Sequence, residues 1–118
     1  VQMGTAFLVC PESGIGSAYR AALARAGDTD TRLTRVFSGR PARGIVNATM
    51  QQLAPFESEV PAYPVQNALM GPVRKAAAAQ GRADALALWA GQGVAATRPM
   101  PAGDLVALLA QEWRAARI

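Results

Sequence analysis

Apolar positions recur along this chain in two rhythms. Residues 1 to 9, "VQMGTAFLV", form one apolar run with β-branched and aromatic members, the pattern of a strand covered on both faces, as in a parallel sheet or barrel. Pro11 closes that run. Ser17 then stands as N-cap for a helix over Ala18 to Ala26, with Tyr19, Leu23 and Ala26 on one face and Gly27 where a C-cap belongs. Strand, loop and amphipathic helix make a βα unit. Beyond a polar turn at Asp28 to Thr31, "TRLTRVFSGRPARGIVN" holds two β-rich runs around Ser38-Gly39 and Arg40-Pro41, which reads as a hairpin or as a strand and an irregular loop. Ala48 to Leu53 suits a short helix, and the three prolines of "APFESEVPAYP" predict an extended or loop-like stretch.

Further along, Gly71-Pro72 predicts a helix start, with Val73 to Gln80 running to Gly81. Ala85 to Trp89 is a short apolar segment that ends in the tight turn "WAGQG". The last predicted helix runs from Gly103 to Arg117, placing Leu105, Leu109, Trp113 and Ala116 on one face, with Asp104 in the first turn and Arg114 and Arg117 in the last. A single strand apolar on both faces needs parallel neighbours, and this pattern offers few.

Composition narrows the chemistry. A chain of 118 residues falls in the range of one domain, and 51% hydrophobic residues argue against disorder. No apolar stretch approaches the roughly 20 residues of a membrane span. No targeting signal is visible, and the lone Cys10 can form no internal disulfide, so the expected location is cytoplasmic. The formal charge of +4 comes from arginines spread between Arg20 and Arg117, which weighs against nucleic acid as a partner. The absence of histidine removes the usual neutral-pH base and the commonest metal ligand, so no metal site is expected.

Four short stretches are candidates for chemistry. Gly4-Thr5 offers a backbone approach and a hydroxyl to an anion, or else marks a bend in a core strand. In "SGRPARG", Arg40 and Arg43 flank Pro41-Ala42, able to clamp a carboxylate or phosphate or to brace a solvated turn. "YPVQN" sets the Tyr63 hydroxyl near the amides of Gln66 and Asn67, to orient a small polar ligand or to cap the next helix. Trp89 of "WAGQG" can stack on a planar cofactor, although a lone tryptophan at an apolar segment end more often packs in a core.

Taken in order, "VQMGTAFLVCPES", "TRLTRVFSGRPARGIVN", "YPVQNALM" and "LWAGQG" resemble the C-terminal portion of bacterial nitronate monooxygenases, formerly called 2-nitropropane dioxygenases. The resemblance spans nearly the whole chain. It implies an α/β fold: the C-terminal part of an FMN-binding (β/α)8 TIM-type barrel with part of an inserted smaller α/β domain, incomplete as a freestanding barrel. On that pattern residues 1–27 are a late barrel strand and its helix. Residues 28–65 belong to the inserted domain, with hairpin-like strands and a Pro-rich loop, and 66–118 form a helical region packing back on the barrel. The resemblance assigns Gln2, Met3, Gly4 and Thr5 to FMN, with the Gly4 and Thr5 amides at its phosphate. Tyr63, Gln66, Asn67 and Trp89 are substrate-side candidates.

Such enzymes oxidise alkyl nitronates with dioxygen to carbonyl compounds and nitrite. The catalytic histidine and the glycine-rich phosphate loop of the family lie upstream of the matching stretch, so no catalytic residue is expected in this segment. The expected partners are an alkyl nitronate, dioxygen and the missing N-terminal barrel portion, with no turnover from these residues alone. Two rival readings stand beside this one. The first is a fragment of a flavin-dependent enoyl-acyl-carrier-protein reductase, which shares the barrel and the strand-end motif; "FSGRPARG" with "WAGQG" favours the nitronate enzyme. The second is a non-catalytic small basic binding module.

Overall fold

A computed structural model describes all residues 1–118. Its elements alternate short helices with one antiparallel hairpin: α1 (Thr5–Leu8), α2 (Ser17–Arg25), β1 (Thr31–Thr34), β2 (Ala42–Ile45), α3 (Ala48–Leu53), α4 (Val65–Ala79) and α5 (Ala102–Ala116). The fold is mixed α/β.

The strand expected over residues 1–9 does not form. Val1–Met3 lie outside any regular element, and the backbone turns at Gly4 into α1, a single helical turn. An extended run needs a neighbour to take its N–H and C=O groups, and no segment of these residues supplies one. The helix that follows is real but shifted by a residue. Gly16 takes the cap position ahead of Ser17, and α2 ends in the extended backbone of Ala26, not at a left-handed Gly27. The Gly27 N–H is instead taken by Asp30 Oδ2 at 2.7 Å.

The hairpin is as expected. β1 pairs with β2 in the register Thr31↔Ile45 to Thr34↔Ala42. Beside β2, Leu86–Ala90 runs extended as a third edge: Ile45 N–H donates to Leu88 O at 2.8 Å, and Ala90 N–H donates to Arg43 O at 3.1 Å. Gly44 permits the crossing, since a Cβ there would sit 3.0 Å from Leu88 O and 3.3 Å from the Trp89 ring.

Two further expectations change. Residues Ala54–Glu59 of the proline-rich stretch form a 3-10 helix, not an extended loop. Pro55 falls in its first turn, where a missing N–H costs nothing. Helix α4 begins at Val65, so Pro72 lies within the helix and does not start it. The lost bond to Ala68 is offset by the face that α4 buries through Gln66, Met70 and Ala77.

Two small cores result. One gathers Val9, Leu23, Ile45, Leu88, Ala90 and Val94 between α2, β2 and the third edge; the other packs Val36, Phe37, Met50 and Met70. Only 19 of 118 residues are buried, and the surface of 7397 Å² exceeds the about 6,100 Å² of a compact monomer of this mass. The excess shows on α5, where Leu105 is buried while Val106 and Trp113 are more than half exposed. Together with Val1, Met3, Phe7, Leu109 and Ala110 they line an apolar groove of about 490 Å³.

Candidate functional site

Thr5 occupies the first position of α1, and its Oγ1 accepts a hydrogen bond at 2.9 Å from the N–H of Gly91, 86 residues away. The N-terminal "QMGT" stretch is therefore held against "WAGQG". Gln2, Met3 and Gly4 are exposed, and the N–H groups of Gly4 and Thr5 find no acceptor in the chain, as befits a helix start. A Cβ on Gly4 would meet nothing within 4 Å. No contact inside the chain requires glycine at that position.

The end of this stretch is anchored from α2. The Arg20 guanidinium donates to Val9 O at 2.7 Å and to Cys10 O at 3.4 Å. The Tyr19 hydroxyl donates to Trp89 O, which fixes the start of the "WAGQG" turn. Burial removes water that would solvate the phenolate, and the Tyr19 pKa is pushed up to about 12.

The Trp89 ring packs edge-on against Phe37, with centroids 5.6 Å apart and planes at 88°. It is half-buried beside the second core, so its packing role is the one the structure displays. Gln66 reaches the same loop: its buried Nε2 donates to Val36 O at 2.6 Å. Asn67 accepts twice from Arg74 Nη2, at its backbone O (3.1 Å) and at Oδ1 (3.3 Å), while Arg74 Nη1 donates to Phe37 O at 3.3 Å. Trp89 and Gln66 thus meet Val36–Phe37 directly, Gln66 tying α4 to that loop, while Asn67 bonds within α4 to Arg74, which reaches Phe37 O.

Tyr63 stands apart at the surface, under the guanidinium of Arg40 at 4.6 Å from its ring centroid. The approach depends on Gly39, whose φ of +89° is open to glycine; a Cβ there would lie 2.5 Å from Tyr63 N. Arg43 does not join Arg40 in a clamp. Its Nη1 donates to Thr31 O and Oγ1, both at 3.2 Å, and braces the hairpin. The four motifs form a connected series: "QMGT" to "WAGQG" through Gly91, Trp89 to "FSGRPARG" through Phe37, and Arg40 to "YPVQN" through Tyr63.

The residue that most tightens this arrangement escaped the sequence reading. Asn47 caps α3 by accepting from Met50 N–H at 3.1 Å, and its Nδ2 donates to Ala83 O (3.1 Å) and Leu86 O (2.7 Å). An asparagine just before a helix is a cap signal; its reach to residues 83–86 has no local signature.

A model of the nitronate monooxygenase family matches residues 1–112. The chain belongs to the nitronate monooxygenase family. A curated probable nitronate monooxygenase of Staphylococcus saprophyticus is 42% identical over 106 residues, covering 90% of this chain and 30% of that protein. Among solved structures, nitroalkane oxidase from Streptomyces ansochromogenes matches with a TM-score of 0.91 and 47% identity, over 98% of this chain and 33% of its own. FabK from Thermotoga maritima matches at a TM-score of 0.75 and 24% identity, over 97% of this chain and 36% of its own, a likeness of fold alone. The chain spans about a third of the length of these relatives. No helix of this nitronate monooxygenase family member is long and apolar enough to cross a membrane.

Proposed function

We propose that this chain forms part of a (β/α)8-barrel nitronate monooxygenase that uses FMN to oxidise alkyl nitronates with dioxygen, yielding carbonyl compounds and nitrite in the cytoplasm. In this reading residues 1–27 lie on the barrel side, 28–65 belong to an inserted domain, and 66–118 pack back on the barrel. The remainder of the barrel is the chain's partner, and no turnover comes from these residues alone. The observation that carries the reading is the exposed corner at Gly4-Thr5, where two backbone N–H groups have no acceptor in the chain and a glycine faces open space. Such a corner fits a phosphate, which takes backbone donors at close range and excludes a bulky side chain.

When bound, FMN supplies the electron transfer between nitronate and dioxygen. The chain's own contribution is binding and placement. Gly4 and Thr5 donate to the phosphate, and Gln2 and Met3 line its approach. Tyr63, whose hydroxyl is uncommitted within the chain, faces the substrate with Arg40 beside it as a positive charge for an anionic nitronate. Gln66 and Trp89, with Arg74 oriented by Asn67, hold the Val36–Phe37 loop behind them. The identities of 42–47% to nitronate monooxygenase and nitroalkane oxidase favour this reading over the enoyl-acyl-carrier-protein reductase. They also favour it over a non-catalytic binding module.

The test is a chimera in which these 118 residues replace the matching third of the Streptomyces enzyme. It is expected to retain FMN and to release nitrite from an alkyl nitronate. Gly4→Val, whose Cβ would meet nothing within 4 Å in the chain, should lower FMN affinity at least about tenfold without lowering the melting temperature of the flavin-free chimera. A folded chimera that binds no FMN refutes the proposal.

A further inference from the structure

We propose that Gly91 of the "WAGQG" turn is a positioning residue for the flavin phosphate: its amide fixes the Thr5 hydroxyl so that the hydroxyl hydrogen is aimed outward, beside the N–H groups of Gly4 and Thr5. The inference rests on the FMN reading above and names a residue that reading does not use. A threonine hydroxyl carries two lone pairs and one hydrogen. Gly91 N–H, at 2.9 Å, commits one lone pair and turns the hydrogen away from the turn, where no acceptor of the chain takes it. Three donors then share one exposed corner.

The turn that presents the Gly91 amide is itself rigidly held. Ala90 N–H is bonded to Arg43 O at 3.1 Å, Trp89 O accepts from Tyr19, and Val94 N–H donates to Gly91 O at 3.2 Å from a fully buried residue. The backbone at Gly91, φ −76° and ψ 169°, is one that any residue adopts. A Cβ there would lie 3.6 Å from Thr5 Oγ1, an ordinary contact. What matters at this position is therefore the N–H, not the missing side chain. Alanine keeps it. Proline fits the same φ but lacks the hydrogen and puts its Cδ toward Thr5.

Dissociation constants for FMN and for riboflavin, which lacks the phosphate, are measured on the chimera described above. Gly91→Ala should leave the preference for FMN unchanged. Gly91→Pro and Thr5→Val should each weaken FMN about ten- to a hundred-fold while riboflavin affinity holds. The double variant should be no worse than either, because Gly91 acts through Thr5. Thr5→Ser, which keeps the hydroxyl, should retain the preference. If Gly91→Pro does not fold, replacing the Ala90–Gly91 amide by an ester removes the same N–H with no added bulk. An unchanged FMN-to-riboflavin ratio in Gly91→Pro or the ester overturns the inference, as does an equal loss of both ligands, since the bond is then only a tether. An unsubstituted chimera that binds neither flavin, or both equally, fails differently: it overturns the phosphate reading itself.

Discussion

Replacing Asn47 tests whether one side chain joins the hairpin side of the molecule to the 83–90 segment. Its three hydrogen bonds comprise a helix cap and two donations to carbonyls of a segment some 36 to 39 residues away. A cap is worth about 1 kcal/mol, and each of the other bonds contributes about 1 kcal/mol net, so Asn47→Ala should destabilise by about 3 kcal/mol. Asn47→Asp is the sharper test, because aspartate caps helices as well as asparagine does. At pH 7 it keeps the bond from Met50 but sets a carboxylate oxygen against the carbonyls of Ala83 and Leu86, where a donor stood. It should therefore be at least as unstable as the alanine variant.

The sign of its pH dependence follows. Protonated, the introduced carboxyl can donate to Leu86 O, so its pKa in the folded chain lies above its unfolded value of about 3.9. The stability that protonation provides is complete below the unfolded pKa and is lost as pH rises through the folded one. Urea midpoints at pH 4 and pH 7, followed by far-ultraviolet circular dichroism, measure this directly. The gap between Asn47→Asp and the unsubstituted chain should narrow on acidification. An aspartate variant within about 0.5 kcal/mol of the parent at pH 7 would refute the reasoning, since it would mean the two carbonyls do not depend on this donor.

Two further predictions concern single contacts. Gly39→Ala should cost more than about 3 kcal/mol in urea unfolding, because its Cβ would fall 2.5–2.8 Å from the backbone of residues 61–63. Gly81→Ala, at a φ of +64° but in open space, should cost only the conformational penalty of about 1–2 kcal/mol; equal losses would discount the close approach at Gly39. Tyr19→Phe should lose about 1 kcal/mol at pH 7. The raised folded pKa of Tyr19 also means that the parent is fully stabilised below pH 10 and loses stability as pH climbs toward about 12. The phenylalanine variant should lack that decline in an alkaline denaturation series.

Elements fixed by local signals were legible in the sequence. The alternation around a Gly-Arg-Pro turn pointed to the hairpin, and α3 and α5 fall within a residue of expectation. Elements that depend on a partner were not. The apolar run at residues 1–9 reads as a strand, yet a strand is a relation between two segments, and here the backbone turns into α1. Pro72 signals a helix start, but the buried face that draws Val65–Met70 into α4 is decided by Val36 and Phe37, thirty residues earlier. The candidate site shows the same division. Its motifs stood out as strings, and the bland reading of Trp89 as a packing residue agrees with its place against Phe37. What joins them runs through the Gly91 amide and the carbonyls of Trp89, Val36 and Phe37. Main-chain groups are common to all residues and leave no trace in composition.

Helix α5 is attached to the rest of the chain chiefly at a few points. Glu12 Oε2 accepts from Ala102 N–H at 2.8 Å, Arg98 pairs with Glu112 at 2.6 Å, and Leu105 alone is fully buried. In the chain taken without the barrel proposed to cover it, such a helix would open at a lower free energy than the hairpin and its cores. Its amides would exchange with solvent through local detachment while the remainder of the fold stays intact, and a protease would find its first cut there.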